Sequence, residues 1–510
     1  MQPIASTSNP VMKAQGGVVD ESVDIVLLGA TEDDTGTAKF TAYGSPTILS
    51  SSAASAPDPP PTSDGAATDG RTGCSIPFMF LLAAPRIAIM MAWSAQLSAI
   101  GPLLEILLGS SAVQLVQLVG PICGLVVVPS VGVVSDNCTS RHGRRRPFLF
   151  GGALASIAAY VVLLFSRDLG RALGDTDASR AYTAAITITM YVWTDVALNV
   201  AMVPANLILA DFAGDRQVTA SVVGGVVAAG GQLAVSMYIT AFGPAHESLT
   251  PFLCMLIGTM GATTCLTCWG ATERVHVRPS TERARGKSIL VDAITSVVAG
   301  IRSLPPPLGV YFGILGLTQY GYASYNGAKG QFFGIVVKDG VSDEADVCGA
   351  ACSPRQIAFN DGVKLAGLAD MLQGLSLVYV LCLPALVQRV GARRVVVLGA
   401  LPQTLLIVMA LSTSALLDIA IAALSSITQV TIFLLAMPLV VHVVDSTELG
   451  MYSGALNSAM CLGQFLNYLI ASVLVRTRMG YALPILVGGV MTALAFVVAL
   501  TKFHVKMHSL

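Results

Sequence analysis

Charge is what this chain has least of. Only 12% of its 510 residues are Asp, Glu, Lys or Arg, while 54% are hydrophobic; a soluble domain carries about 25% charged residues. That scarcity excludes an ordinary water-facing surface. The charges that exist are clustered and leave uncharged runs at Ile106–Ser135, Pro147–Ser166 and Leu449–Val475, each beyond the ~18 residues that mark a membrane-spanning helix. Also missing are a complete Gly-x-x-x-x-Gly-Lys-Ser/Thr phosphate loop and a His-Glu-x-x-His pair, so nothing supports an ATP-driven pump or a membrane metalloprotease. No basic start followed by an apolar run of signal-peptide length opens the chain, and Ile25–Ala30 is too short to serve. The first membrane helix is then the expected insertion signal.

The net charge of -1 conceals an uneven distribution. Residues 1–76 hold nine acids and three bases, a balance of -6, which leaves +5 for the rest. Neither part suggests a nucleic-acid partner. The segment 1–76 is rich in Ser, Thr, Ala, Pro and Asp, buries too little apolar area to fold alone, and reads as a disordered cytoplasmic tail. Most of the ten cysteines stand singly in apolar stretches, where a thiol acts as a small hydrophobe. Cys265 and Cys268 fall inside one span without matching ligands, so no metal site and no cofactor is expected. Cys348 and Cys352 sit in a polar loop and can pair if that loop is non-cytosolic.

The fold expected is an all-α membrane protein of twelve transmembrane helices in two six-helix halves, with spans centred near residues 95, 123, 157, 193, 230, 260, 317, 375, 405, 430, 462 and 491. The first bundle is placed at 77–272 and the second at 306–503, with a short tail at 504–510. Between them, 273–305 is a polar linker with Arg274, Arg278, Arg283, Arg285, Lys287 and Arg302. A surface-lying amphipathic helix is expected there, at about 289–301. Arg141, Arg144, Arg145 and Arg146, the linker, and Arg389, Arg393 and Arg394 all fall on one side, which the positive-inside rule makes cytoplasmic along with both termini. Arg167, Arg171 and Arg180 after the third span, and Arg476 and Arg478 after the eleventh, dissent.

The pattern Arg-x-Gly-x-Arg-Arg occurs twice, at Arg141 between spans two and three and at Arg389 between spans eight and nine. Its recurrence at equivalent places is what a duplicated carrier shows, with a solute site near mid-membrane between the halves. The longer run Gly132-Val-Val-Ser-Asp136-Asn-Cys-Thr-Ser-Arg141-His-Gly143-Arg144-Arg145-Arg146-Pro147 resembles the loop signature of the major facilitator superfamily, in the form S-D-R-C-T-S-R-F-G-R-R-R-P-F of plant sucrose-proton symporters and their animal relatives, departing from it at Asn137 and His142. Trp193-Thr-Asp195-Val-Ala-Leu-Asn199 and Ala210-Asp211-Phe-Ala-Gly214 are similar to that family's L-D-V-A-N-N and A-D-L-S-G. The stretch from Gly362 to Leu372 resembles G-V-R-A-G-A-L-G-L-M-L, and Leu449 to Asn457 resembles G-L-S-M-G-V-L-N. The likeness runs from about 80 to 475.

An acid at a helix end facing several arginines across a short loop can latch one closed state, a role that suits Asp136 with Arg141, Arg144, Arg145 and Arg146, joined by Asp211 and echoed by Arg389 and Arg393. The alternative is that these arginines only fix topology and bind headgroups. Ionisable residues inside spans default to function. Asp195 has fourteen uncharged residues before it and fifteen after and is the first candidate for a proton site; the resemblance implies the same residue. Glu105, on one helical face with Ser94 and Ser98, is second, unless it lies solvated at the outer end. Trp93, Gln96, Ser98, Asn199, Asn206, Gln232, Gln319 and Tyr320 are candidate solute contacts, although Trp93 suits packing equally.

Two departures from the family qualify the reading. Asn206 stands where the symporters' G-P-C-R-A-L-L-A-D has arginine, and Tyr325-Asn326-Gly-Ala-Lys329-Gly-Gln331-Phe replaces D-T-D-W-M-G-R-E. The resemblance implies a proton-coupled sugar symporter, not an enzyme, with sugar, proton and lipid as its partners. It is expected in the plasma membrane, with vacuolar or other endomembranes as the alternative, and a monomer suffices. An uncoupled facilitator and a transporter-like receptor or sensor are the competing readings.

Overall fold

The computed structural model describes residues 74–505 and 507, apart from 137, 177–178, 274–294, 296–297, 375 and 445–448. The expected tail therefore lies outside the described residues up to 73, and so does most of the linker; of its expected surface helix, 295 and 298–301 are described and are helical. In a hydrocarbon solvent every N–H and C=O must find its partner within the chain, and apolar segments of this length do so as helices.

The helices run in order α1 (Ile76–Leu108), α2 (Ser110–Gly132), α3 (Arg146–Leu164), α4 (Ala181–Ala213), α5 (Thr219–Phe242), α6 (Leu249–Gly270), α7 (Pro306–Asn326), α8 (Pro354–Gln373), α9 (Val378–Val390), α10 (Ala392–Leu411), α11 (Ala415–Val443), α12 (Leu449–Leu474) and α13 (Ala482–Lys502). Among the described residues nine of them are long and apolar enough to cross a membrane, and α8 with α9, bent by 43°, makes a tenth crossing. α7 and α12 have the length, 21 and 26 residues, but Gln319, Tyr320, Asn326, Asn457, Gln464 and Asn467 lower their hydropathy. The twelve expected centres fall on these helices, the eighth at the junction of α8 and α9.

Many large side chains that a soluble protein would bury point outward, among them Leu154, Leu381, Leu416, Phe433 and Val473. Exposed apolar area on this scale is a lipid-facing surface, and the chain is an integral, multi-pass membrane protein. The loops carrying Arg141–Arg146 and Arg389–Arg394 lie at one end of the bundle, called here the arginine end. The other is the disulfide end, where Cys348 and Cys352 are joined in the loop before α8. Ser353 starts α8 with a reciprocal cap, its side chain bonded to the Gln356 N–H and the Gln356 side chain to its own N–H.

The apolar cores fall into two sets. One joins residues such as Met79, Leu104, Tyr160, Leu198 and Leu256; the other joins Tyr311, Phe333, Leu406, Leu435 and Ile485. Helices within each set approach closely at glycines, as membrane bundles require when lipid offers no hydrophobic drive for association. Gly463 on α12 rests against the Gly316 carbonyl on α7 so closely that an added methyl would collide with it, whereas a methyl at Gly454 on the same helix meets nothing within 4 Å. Gly463→Ala is therefore expected to cost about 1–3 kcal/mol of stability by overpacking. The melting temperature of the purified protein should fall, while Gly454→Ala leaves it unchanged; equal melting of the two would refute the close approach.

Two interruptions set up the site. α1 contains a π-helical turn, Gln96–Ile100, and a second, Phe332–Val337, follows α7 after the short helix Lys329–Gln331. Such turns carry one residue more than the α ladder and frequently mark functional positions. The first lies within the first helix of the first set, and the second follows the first helix of the second set.

Candidate functional site

Asp195 lies in α4, and its side chain is almost fully buried at 4% exposure. The Asn199 carboxamide, one turn on, donates to the Asp195 carbonyl at 2.8 Å and reaches its carboxylate at 3.5 Å. Cys123 of α2 and Gln96 of the α1 π turn also face the carboxylate. Gly120 of α2 also faces it: a methyl there would stand in ordinary contact, 3.9 Å from both carboxylate oxygens. Tyr160 and Tyr191, from the same set of helices, and Tyr468, from α12, lie close enough to feel its charge. The acid thus sits where the two sets of helices meet, with no cationic partner among the described residues.

A second buried carboxylate was not singled out by the sequence. Asp370 in α8 is 2% exposed and pairs with the Lys329 ammonium at 2.5 Å, and Lys329 is itself 2% exposed. Lys329 also donates to Asn326 Oδ1 at 2.7 Å. The Ser98 hydroxyl, in the α1 π turn, donates to the same Asp370 oxygen at 2.9 Å and so connects the two sets. Asp370 stands in the segment matched to G-V-R-A-G-A-L-G-L-M-L at a place where that pattern has leucine. The signal available was an acid followed by no further charge until Arg389.

The disulfide end is sealed by bonds between the sets. Asp346 accepts from Arg167 at 2.6 Å and from Arg180 at 2.9 Å. His246 Nε2 meets Asn360 Oδ1 at 2.8 Å, and the Asn360 amide donates to Glu247 at 2.6 Å. Burial pushes the His246 ring down to about 4, so it stays neutral. Glu105 accepts from Ser110 at 2.8 Å and from the Tyr481 hydroxyl, and Arg476 donates to Ser111 at 2.8 Å. Glu105 is therefore a buried member of this seal rather than a solvated end group. Arg167, Arg180 and Arg476, which dissent from the positive-inside pattern, are here because they hold the two sets together.

At the arginine end, Asp211 accepts from Arg144 at 3.0 Å and Arg145 at 3.4 Å, and Arg145 also donates to Ser135 at 2.6 Å. Glu273, read from sequence only as the start of the linker, accepts the Arg145 N–H at 2.9 Å and caps the start of α3. Arg146 donates to the Cys268 carbonyl. The Asp136 side chain lies outside the described residues. Arg141 and Arg389 are exposed, and Arg393 donates to the Leu500 carbonyl at 3.2 Å, so the second copy of the motif braces α13.

The remaining candidates scatter. Trp93 packs against both apolar clusters of the first set, as a packing residue does. Asn206 is exposed, and eleven residues put it about 16 Å along the helix from Asp195 toward the arginine end. Gln232 is half-buried on α5, its carbonyl accepting the Ser236 hydroxyl at 3.1 Å. Gln319 belongs to a ladder of amides: Gln464 donates to Gln319, Gln319 to Gln429, Gln429 to Gln403, and Gln403 to Thr492, at 2.5–3.1 Å. Tyr320 is buried with its hydroxyl unpartnered.

Comparison with known proteins bears on the family and the fold. Residues 81–305 match the family model "MFS/sugar transport protein", and residues 356–509 match "Major Facilitator Superfamily". A sucrose transport protein of Arabidopsis thaliana, SUC3, is 36% identical over 175 residues, 32% of this chain and 30% of that protein. A sucrose transport protein of Oryza sativa subsp. indica, SUT4, is 39% identical over 137 residues, 25% of this chain and 23% of that protein. The aligned stretch thus spans less than a third of the relatives it matches. In structure the chain is similar to the nucleoside transporter NupG, with a TM-score of 0.56 at 12% identity over 84% of this chain and 99% of that one. It is also similar to the peptide transporter POT, with a TM-score of 0.55 at 11% identity over 83% and 92%. At such identities these two share the fold alone.

Proposed function

Because the chain belongs to the major facilitator superfamily, whose models match both of its halves, we propose that it is a secondary transporter that carries a sugar across the membrane together with a proton. The observation that carries this reading is Asp195. It is a buried carboxylate without a cationic partner among the described residues, set among neutral hydrogen-bonding groups at the junction of the two sets of helices. An acid so placed is stable when protonated and costly when charged. Its proton state therefore couples to which end of the bundle is open.

The cycle is alternating access. Protonation of Asp195 from the disulfide side favours loading of the solute, and loss of the proton toward the arginine side favours release. The arginine end is cytoplasmic by the positive-inside rule, the Arg144–Asp211–Arg145 cluster acts as its gate, and halves at 77–272 and 306–503 move about the central site. The named relatives make a sucrose-like disaccharide or glucoside the first solute to try, and the plasma membrane the first location. Asn206, where the symporters have arginine, favours a second reading as an uncoupled sugar facilitator.

The deciding experiment places the purified protein in liposomes with an acidic exterior and neutral interior, and follows labelled sucrose, maltose and glucose. Accumulation of one of them above the external concentration, collapsed by a protonophore, is the expected result. Flux that only equilibrates, whatever the gradient, would leave the facilitator; no flux of any sugar would end the sugar reading.

A further inference from the structure

The bundle holds a group of buried polar atoms beyond Asp195 that its own contacts leave incomplete. Gln331 is 0% exposed, and both ends of its carboxamide are unpartnered. Gln117 is bonded through its Nε2 to the Gly327 carbonyl at 2.8 Å, while its Oε1 is unpartnered, and Asp370 Oδ1 is unpartnered too. These groups converge. Both Gln331 Nε2 and Gln117 Nε2 come within 4 Å of one point beside Gly101, directly after the π turn that carries Gln96 and Ser98. Each buried unpaired polar group costs stability, and a buried ion pair such as Lys329–Asp370 seldom repays its desolvation. A cluster of both kinds is hard to explain as a device for stability.

We propose that Gln117, Lys329, Gln331 and Asp370 form a second hydroxyl-binding subsite, on the α7–α8 side of the junction, for a neutral polyhydroxylated solute. This deepens the sugar-transport reading and rests on it. The chemistry is complementary to a run of hydroxyls. A carboxylate accepts, an ammonium donates, and carboxamides do both, while the zero net charge of the Lys329–Asp370 pair disfavours an isolated anion or cation. Ser98 shows how the solute enters. Its hydroxyl occupies the Asp370 oxygen in the conformation closed at the disulfide end, and a sugar hydroxyl is the same chemical group. When the two sets of helices part there, a solute hydroxyl takes the place of Ser98 at little net change in hydrogen bonding.

The test uses the full-length purified protein with sucrose, maltose and glucose as probes. Gln331→Leu removes a carboxamide that has no partner, so a purely structural residue would lose nothing by the change. The expected result is a melting temperature without ligand that is unchanged or higher, together with binding of the transported sugar weakened at least tenfold. Lys329→Met combined with Asp370→Asn keeps the site neutral and should weaken binding at least as much. A panel of monodeoxy analogues adds a readout that mere structure would not move: Gln331→Leu should level the discrimination between the parent sugar and the analogue lacking the hydroxyl it contacts. Wild-type affinity and analogue selectivity in both variants would overturn the subsite and leave the transport reading standing. A wild-type protein that binds none of the three sugars would overturn both. Should Gln331→Leu fail to fold, the assignment of Gln331 as a residue without structural partners fails, and the proposal with it.

Discussion

Asp195→Asn is expected to abolish proton-driven accumulation of sugar while leaving exchange of labelled for unlabelled sugar intact. The carboxamide has nearly the shape and hydrogen-bonding capacity of the protonated acid, and the pocket of Asn199, Cys123 and Gln96 accommodates either. What the variant cannot do is release a proton. It is held in the state that loads solute, so loaded conformations interconvert and exchange proceeds, but the empty return that requires a charged Asp195 does not occur. Acid-stimulated uptake in yeast lacking its own sugar carriers should fall to background, with counterflow in liposomes retained. If acid stimulation survives the substitution, Asp195 is not the coupling residue. Loss of exchange as well would make it a solute ligand in the first place.

The second large effect is expected at the disulfide end. Asp346→Ala removes the acceptor shared by Arg167 and Arg180, and hydrogen bonds to charged groups contribute about 1.5–3 kcal/mol. Loss of this lock should raise the population open at that end by roughly ten- to a hundredfold. Hydrogen-deuterium exchange reads it directly: amides of residues 354–363 and 243–249 should lose protection by that factor, while those of α3 and α6 do not change. Unaltered protection would mean that Glu105–Tyr481 and His246–Asn360 hold the end without help. Acid does not do the work of the substitution. Burial works to raise the Asp346 carboxyl, but the hydrogen bonds from Arg180 and the charge of Arg167 outweigh it and hold the group below its ordinary value. Its stabilising effect is present above the ordinary carboxylate range and is lost only as pH falls through the lowered folded value, so mild acidity leaves the lock shut.

The sequence made the frame legible because lipid imposes long uncharged runs and charged loops, and both survive in the composition. Asp195 stood out for the same reason: a lone acid in the middle of such a run has few explanations. Asp370 did not, because α8 opens with Arg355, Gln356, Asn360, Asp361 and Lys364 and reads as loop for its first turns. Its partners add to the difficulty, since Ser98 is 272 residues away and no local pattern connects them. Arg167 and Arg180 looked like exceptions to a topological rule and proved to be half of a lock whose acid, Asp346, lies in another loop. The π turns leave no compositional trace. Glu273 was hidden by the linker it begins, where its role as a cap for α3 depends on a turn that brings residue 145 back to it.

The amide ladder through Gln464, Gln319, Gln429, Gln403 and Thr492 ties α12, α7, α11, α10 and α13 together. Carboxamides and hydroxyls do not ionise at any pH a cell meets. This ladder is therefore blind to the proton that Asp195 is proposed to carry. In the cycle proposed above, acidity acts on the site without softening the ladder that braces the moving body, so fuel and chassis are chemically separate.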